Sequence, residues 1–309
     1  MLFEGSEKKV EIVVRPGLPS FRDKSRKFWD EIVDAAGACI LSEVHSSACD
    51  AYLLSESSLF VFDQRVVMIT CGKTTLVSAA LNLVDEVGKA SLQSLIYQRK
   101  NEYFPDQQHS QFHEDVLFLE GKLNGRSLCL GDPNSHHMHV YHLNEKFFPV
   151  ANDTTTEILM YDLGEDIRQI FSTPGLTAEQ IRLKTGMSEI LGGFSIDDWA
   201  FDPVGYSLNA VKDDLYYTIH VTPEESATYA SFETNLPTER DLSDLVARVL
   251  TVFRPQKFDV VGFRPEGACQ LRLPGVESYQ REIRDLECGY SLTFGAYRVN
   301  VSADSKSAM

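Results

Sequence analysis

The chain is short of positive charge: 29 lysines and arginines stand against 45 aspartates and glutamates, a formal charge of −16 over 309 residues. Such a chain repels nucleic-acid phosphates and anionic lipid at long range and attracts cations, so neither nucleic acid nor membrane is expected as a partner and a cationic small molecule suits it. There is no run of about 18 uncharged apolar residues, which excludes a membrane-spanning helix. The N-terminus carries charge at Glu4, Glu7 and Lys8 where a signal peptide needs an apolar stretch, and a cytoplasmic protein is expected. The six cysteines, at 39, 49, 71, 129, 269 and 288, form no CxxC pair. A disulfide framework and a structural zinc site are therefore not expected, and the cysteines read as free thiols in a reducing compartment. Nor is there a Pro/Gly/Ser linker long enough to separate independent domains.

What is present is globular in composition, 43% hydrophobic and 24% charged, and is read as one domain over 1–309. Val10 to Val14 has the β-branched pattern of a strand, and Arg22 to Ala35 is helical. Strands follow at Ala38–Ser42, Ala51–Leu54, Leu59–Phe62 and Arg65–Cys71. From Thr74 to Val87 apolar residues recur at three and four, which makes a helix with one buried stripe. The order then repeats, with strands near Val116–Leu119, Ser127–Leu130, His137–Leu143 and Glu157–Leu163 and a helix near Ile167–Phe171. Thr177 and Gln180 form a capping box that opens the next helix. Strands at Asp198–Pro203, Tyr206–Val211, Tyr216–Thr222 and Thr228–Thr234 precede a helix at Leu242–Phe253. Strands near Phe258–Arg264, Gln270–Leu273 and Ser291–Tyr297 close the pattern, and Ser302–Met309 reads as a polar tail. Blocks of strands followed by a helix, without βαβ alternation, predict an α+β fold with antiparallel sheets and helices on their outer faces.

Three motifs invite chemistry. Gly72-Lys73-Thr74 is half of a phosphate-binding loop, but the glycine required five residues earlier is Val67, inside a strand, so the cradle cannot form. His136, His137, His139 and His142 cluster, with His137 and His139 on one strand face; no acid or cysteine is spaced to complete a metal site, and a surface strand is the expected reading. Ser55-Glu56-Ser57-Ser58 joins two apolar strands with no Gly, Pro, Asn or Asp to make an ordinary turn. On composition it is a hairpin corner or bulge. A serine hydroxyl held against the preceding carbonyl in a strained turn can also attack it and turn an amide into an ester.

The run Leu54-Ser55-Glu56-Ser57-Ser58-Leu59-Phe60, followed by Thr70-Cys71-Gly72, resembles the self-cleaving site of eukaryotic-type S-adenosylmethionine decarboxylases. Further matches occur in the family's order: Phe3-Glu4-Gly5, Glu7-Lys8, Tyr97, Arg99-Lys100, Phe201, Pro203, Gly205-Tyr206-Ser207, Asn209, Thr218-Ile219-His220, Thr222-Pro223-Glu224, Tyr229, Ser231 to Asn235, and Phe263. They extend over nearly the whole chain.

The resemblance implies a four-layer α/β/β/α sandwich and a proenzyme that cuts itself between Glu56 and Ser57 into a β chain, 1–56, and an α chain, 57–309. Ser57 would attack the Glu56 carbonyl, Ser207 would stabilise the oxyanion and His220 would remove the Cα proton, leaving a pyruvoyl group. That self-made group, in place of pyridoxal phosphate or a metal, would form a Schiff base with S-adenosylmethionine and accept electrons as CO2 leaves. Cys71, 14 residues after Ser57, matches the proton donor. Phe3 and Phe201 match the aromatics that sandwich adenine, Glu224 the carboxylate on the ribose hydroxyls, and Glu4 and Glu7 acids that support processing and catalysis. Glu11, Asp153, Thr155, Glu157, Glu233 and Phe263 match the pocket that binds the activator putrescine in animal and trypanosomatid members. Plant members lack the acid at Asp153, whereas Ile69 and Ile96 depart from the lysine and aromatic usual in that pocket. A homodimer would follow the animal members. Two other readings are a catalytically inactive regulatory paralogue, which should lack Ser57 or its helpers, and a pyruvoyl decarboxylase of a basic amino acid, which should lack the adenine-stacking residues.

Overall fold

In the first strand, Lys8–Val14 (β1), the apolar residues Val10, Ile12 and Val14 alternate with Lys9, Glu11 and Val13, and both sets are buried. A strand buried on both faces but apolar on only one must lie between a hydrophobic layer and a polar one. The computed structural model, which describes residues 5–100, 102–224 and 228–300, realises that arrangement.

The first half continues with α1 (Arg26–Ala35), β2 (Ile40–His45), β3 (Asp50–Leu54), β4 (Ser57–Val61), β5 (Arg65–Thr70), α2 (Leu76–Val87), β6 (Leu92–Lys100), α3 (Phe112–Glu120), β7 (Gly125–Gly131) and β8 (His137–Leu143). The second comprises β9 (Thr155–Tyr161), α4 (Glu165–Ser172), α5 (Ala178–Thr185), β10 (Ser195–Ala200), β11 (Tyr206–Lys212), β12 (Leu215–Thr222), β13 (Tyr229–Thr234), α6 (Ser243–Phe253), β14 (Lys257–Arg264), β15 (Val276–Asp285) and β16 (Ser291–Val299). Each half forms an eight-stranded sheet, in the orders β2-β3-β4-β5-β1-β6-β8-β7 and β10-β11-β12-β13-β9-β14-β16-β15. Adding eight to each label of the first order gives the second, so one topology is used twice. Every strand pairing is antiparallel.

Helices cover the outer face of each sheet. Val10, Ile12, Trp29, Leu83 and Leu95 belong to the core under α1 and α2, and Met160, Phe171, Val246 and Phe258 to the core under α4 and α6. The inner faces meet through two smaller apolar clusters, one around Phe60, Val67 and Tyr216 and one around Met138, Val261 and Phe294. Phe60 stacks on Tyr216 with ring centroids 4.2 Å apart. Buried acids, lysines, hydroxyls and His220 occupy the same inner faces. The four-layer α/β/β/α sandwich expected from the sequence is thus observed.

Some elements differ from the pattern reading. Residues 116–119 are helical, in α3: Gln111 and Glu114 form a capping box. Val116 and Leu119 face inward with Leu117 and Phe118 exposed, so an amphipathic turn mimics a short apolar strand. Gln270–Leu273 makes only an isolated bridge, between Gln270 and Asp241. The edge strand is β15, whose alternation is masked by polar residues on both faces. Residues 198–203 divide into the end of β10 and a loop, and β6 was not anticipated. The 302–309 tail lies outside the described residues.

Candidate active site

The β3–β4 register pairs Leu54 with Ser57 and leaves only Ser55 and Glu56 as the hairpin loop. Loops of this length usually place a positive φ on a Gly, Asn or Asp within the turn. Here it falls on Ser57, at φ 132°, where a side chain carries a strain of order 1–3 kcal/mol. Ser57 is also 1% exposed, so neither water nor flexibility relieves it. The preceding carbonyl, Glu56 O, accepts from Cys71 N–H at 2.9 Å and from the Cys71 thiol at 3.5 Å.

His220 projects from β12, in register with Ser207 on β11 and Ser231 on β13. Its Nδ1 lies 2.7 Å from Glu7 Oε1, 3.1 Å from Ser57 Oγ and 3.4 Å from Ser231 Oγ. Its Nε2 lies 2.8 Å from Ser58 Oγ and 3.0 Å from Thr218 Oγ1. Glu7 also accepts from Ser231 at 2.6 Å and from Tyr229 at 3.3 Å. Burial alone would raise the Glu7 pKa, but the hydrogen bond and charge of His220, aided by Lys100, hold it below the ordinary carboxylate value. Burial, opposed only by Lys8, pushes Glu56 up to about 7. Burial and then the charges of Glu56 and Glu7 hold the Cys71 pKa well above that of a free thiol. Cys71 therefore keeps its proton and can donate it, rather than standing as a thiolate nucleophile.

A cleft of about 320 Å³ brings together Glu56, Ser57, Cys71, Ser207, His220, Phe201 and Glu224. These residues come from four separated stretches of chain. Phe3 and Glu4 lie outside the described residues. The sequence reading missed Ser58 and the hydroxyl-bearing partners of His220 and Glu7; their signal was alternation, because Thr218 shares the strand face of His220 and Ser231 faces it across the ladder.

The acids assigned to a diamine pocket do lie together, but they already have cations. Lys9 Nζ bridges Glu157 at 3.1 Å and Glu233 at 2.7 Å, and Lys100 also contacts Glu157. Arg65 reaches Glu11 at 3.6 Å and Asp153 at 2.5 Å. Tyr216 donates to Glu233 at 2.6 Å and Tyr290 to Asp153 at 2.8 Å. Thr155 and Phe263 pair across β9 and β14 and are buried beside them. Burial opposes the charge of Lys9, yet Glu157 and Glu233 outweigh it and raise its pKa. The sequence reading named the acids and missed Lys9, Arg65 and Lys100; Lys9 was detectable, since alternation puts it on the same face as Glu11.

The histidine cluster is not a surface strand throughout. His142 is buried, His136 lies 2.9 Å from Asp259, and His139 stacks on Phe112 with centroids 4.8 Å apart. Among the described residues, no group of three or more His, Cys, Asp or Glu is placed to hold a metal, and no helix is long and apolar enough to cross a membrane.

The sequence profile of the adenosylmethionine decarboxylase family matches residues 1–298. The chain is 33% identical to the S-adenosylmethionine decarboxylase proenzyme of Dictyostelium discoideum, over 98% of this chain and 88% of that protein. It is also 33% identical to the proenzyme of Xenopus laevis, over 96% of this chain and 95% of that one. Its fold is similar to the crystal structure of the Trypanosoma brucei AdoMetDC-delta26 monomer, with TM-score 0.63 and 27% identity, covering 79% of this chain and 99% of that chain.

Proposed function

This chain belongs to the adenosylmethionine decarboxylase family, and from that premise we propose that it cuts itself at Glu56-Ser57 and then decarboxylates S-adenosylmethionine with a pyruvoyl group made from Ser57. The reaction supplies the aminopropyl donor of polyamine synthesis. The observation that carries the self-processing reading is the strained, buried Ser57, set between the tethered Glu56 carbonyl and His220.

In processing, Ser57 Oγ bonds to the Glu56 carbonyl carbon. The carbonyl oxygen, already held by Cys71 N–H, takes the negative charge with support from the Ser207 hydroxyl. The C–N bond breaks, the nitrogen gains a proton, and Glu56 becomes an ester of Ser57. His220 then takes the Ser57 Cα proton and the Cβ–Oγ bond breaks, releasing the Glu56 carboxylate. The enamine left on residue 57 tautomerises and loses ammonia to water.

The pyruvoyl group supplies an electron sink for the bonding pair left by CO2. Around it, Cys71 holds a proton for the substrate carbon, Phe201 stacks on adenine, Glu224 holds the ribose hydroxyls and Glu7 orients His220. Phe3 and Glu4 take the roles given by resemblance.

Control by putrescine is revised. Glu11, Asp153, Glu157 and Glu233 meet three internal cations, Lys9, Arg65 and Lys100. Four acids against three cations leave one negative charge, and burial raises the Glu233 pKa. A diamine would bring two positive charges to a layer that lacks only one, and full activity is expected without it.

The test is the intact mass of the full chain under denaturing conditions, with and without putrescine. Two fragments, the larger beginning at a residue 57 that is blocked and lighter than serine, support self-processing. A single chain of 34.7 kDa after long incubation overturns it.

A further inference from the structure

We propose that Asn209 selects which nitrogen of His220 exchanges protons with the reacting residue. This inference rests on the self-processing reading. Asn209, on β11, is fully buried, and its side-chain oxygen bonds to the hydroxyls of Ser58 and Thr218 rather than to an atom of the scissile pair. It is a positioning residue.

The argument is a count of hydrogens. Asn209 Oδ1 accepts from Ser58 Oγ at 2.6 Å and from Thr218 Oγ1 at 3.0 Å. A carbonyl oxygen can only accept, and a serine or threonine hydroxyl has one hydrogen to give. Both hydroxyls spend that hydrogen on Asn209 and turn lone pairs toward His220 Nε2, at 2.8 and 3.0 Å. Nε2 must then carry the hydrogen itself. Nδ1 is then the one ring nitrogen whose hydrogen can come and go, and it shares that hydrogen with the Glu7 carboxylate 2.7 Å away, which can only accept. Once Glu7 takes that hydrogen, the Nδ1 lone pair faces Ser57 Oγ at 3.1 Å.

Burial makes this arrangement binding, because Ser58, Thr218 and Asn209 are at most 1% exposed and water has little access to reset it. Asn209 and Thr218 are direct partners across the β11–β12 ladder, whereas Ser58 comes from the opposite sheet. The proton pattern of His220 is therefore set only once the two sheets have packed together. Without Asn209, either hydroxyl could donate to Nε2, and the lone pair would move away from Ser57.

Two measurements test this. In the uncleaved full chain carrying Ser57→Ala, nitrogen NMR with labelled histidine should show a hydrogen on Nε2 of His220, assigned by its loss in the added His220→Gln variant. Adding Asn209→Ala should shift the neutral ring toward Nδ1–H. In the otherwise native chain, Asn209→Ala should slow self-cleavage roughly 10- to 100-fold, the usual effect of losing a group that orients a working histidine. Asn209→Asp, which keeps an acceptor, should recover most of the rate. In the Ser58→Ala/Thr218→Val background, Asn209→Ala should add less than about twofold, because it acts through those hydroxyls. The proposal fails if Nε2 lacks a hydrogen in the Ser57→Ala chain, the pattern expected if the amide NH2 faces the hydroxyls. It also fails if folded Asn209→Ala cleaves within about twofold of the native rate. If Asn209→Ala does not fold, Asn209→Asp and the Ser57→Ala spectrum still decide. A native chain that never cleaves overturns the self-processing reading, while the nitrogen spectrum continues to test the Asn209 assignment.

Discussion

The β3–β4 and β11–β12 hairpins occupy equivalent places in the repeated topology. Both have a two-residue loop: Leu54 pairs with Ser57 around Ser55-Glu56, and Lys212 with Leu215 around Asp213-Asp214. In the second, the positive φ of 53° falls on Asp213, within the turn and on a residue type that tolerates it. Ser46 and Ser47 also tie that turn to the first sheet. In the first, the positive φ of 132° falls beyond the loop, on a buried serine. Turn length is shared, so topology does not make the reactive bond. What differs is where the unusual dihedral sits and whether a base faces it.

The largest effect should come from removing the nucleophile from one hairpin and disturbing its twin. Ser57→Ala should abolish cleavage and leave only the intact chain by denaturing mass spectrometry. Asp213→Gly, which relaxes the equivalent turn, should cleave within about twofold of the native rate. Cleavage lost equally in both would end the distinction.

A second contrast concerns the strands at the centre of each sheet. β1 and β9 are equivalent in the repeat, but they meet with opposite charge, Lys9 against Glu157. Lys9→Met should destabilise the fold by roughly 3–5 kcal/mol in a denaturant titration, because it takes a cation from buried Glu157 and Glu233 and leaves Lys100 on Glu157 alone. Added putrescine should restore part of that stability and of the decarboxylase activity. Unchanged stability would show that Lys9 is not the cation that neutralises the layer.

The smallest effect involves Lys8, next to Lys9 but on the other face of β1. Burial, with the charge of Arg99, lowers its pKa from the usual 10.5 to about 8. Its ammonium donates to the Gly72 carbonyl at 3.0 Å and to Gln108 at 2.7 Å. A base whose folded pKa is depressed penalises the native state below the folded value, since the unfolded chain then binds the proton more readily. Stability should rise between about pH 8 and pH 10.5 as that penalty is relieved, and Lys8→Met should remove this component of the rise in thermal midpoint.

The fold was legible in the sequence where one physical pattern dominated. The apolar stripe of α2, the capping box at Thr177 and the strands around Ser57 all emerged from spacing. α3 was misread because its apolar residues fall four in a row, and β6 was missed because it is buried on both faces and shows no clean alternation. The site was less legible locally. Ser57 and its unusual turn could be singled out from composition, but Cys71, Ser207, His220 and Glu224 look ordinary until their place in the family's order is noticed. The internal cations were not legible because the charge the buried acids require was assigned to an external diamine, whereas Lys9, Arg65 and Lys100 supply it from within.

The position of β1 has a further consequence. Segment 1–56 contains β1, which lies between β5 and β6, and the hairpin β2–β3, which forms one edge of the sheet. Severing the chain at Glu56-Ser57 would leave the β2–β3 hairpin at one edge but β1 locked between two strands of the other fragment, so the segment could not leave without opening the sheet at its centre. The mature enzyme would then be two polypeptides that were folded as one, and its reassembly after global unfolding would become a second-order event, dependent on concentration. Refolding yield should fall on dilution for the cut protein and not for the uncut one.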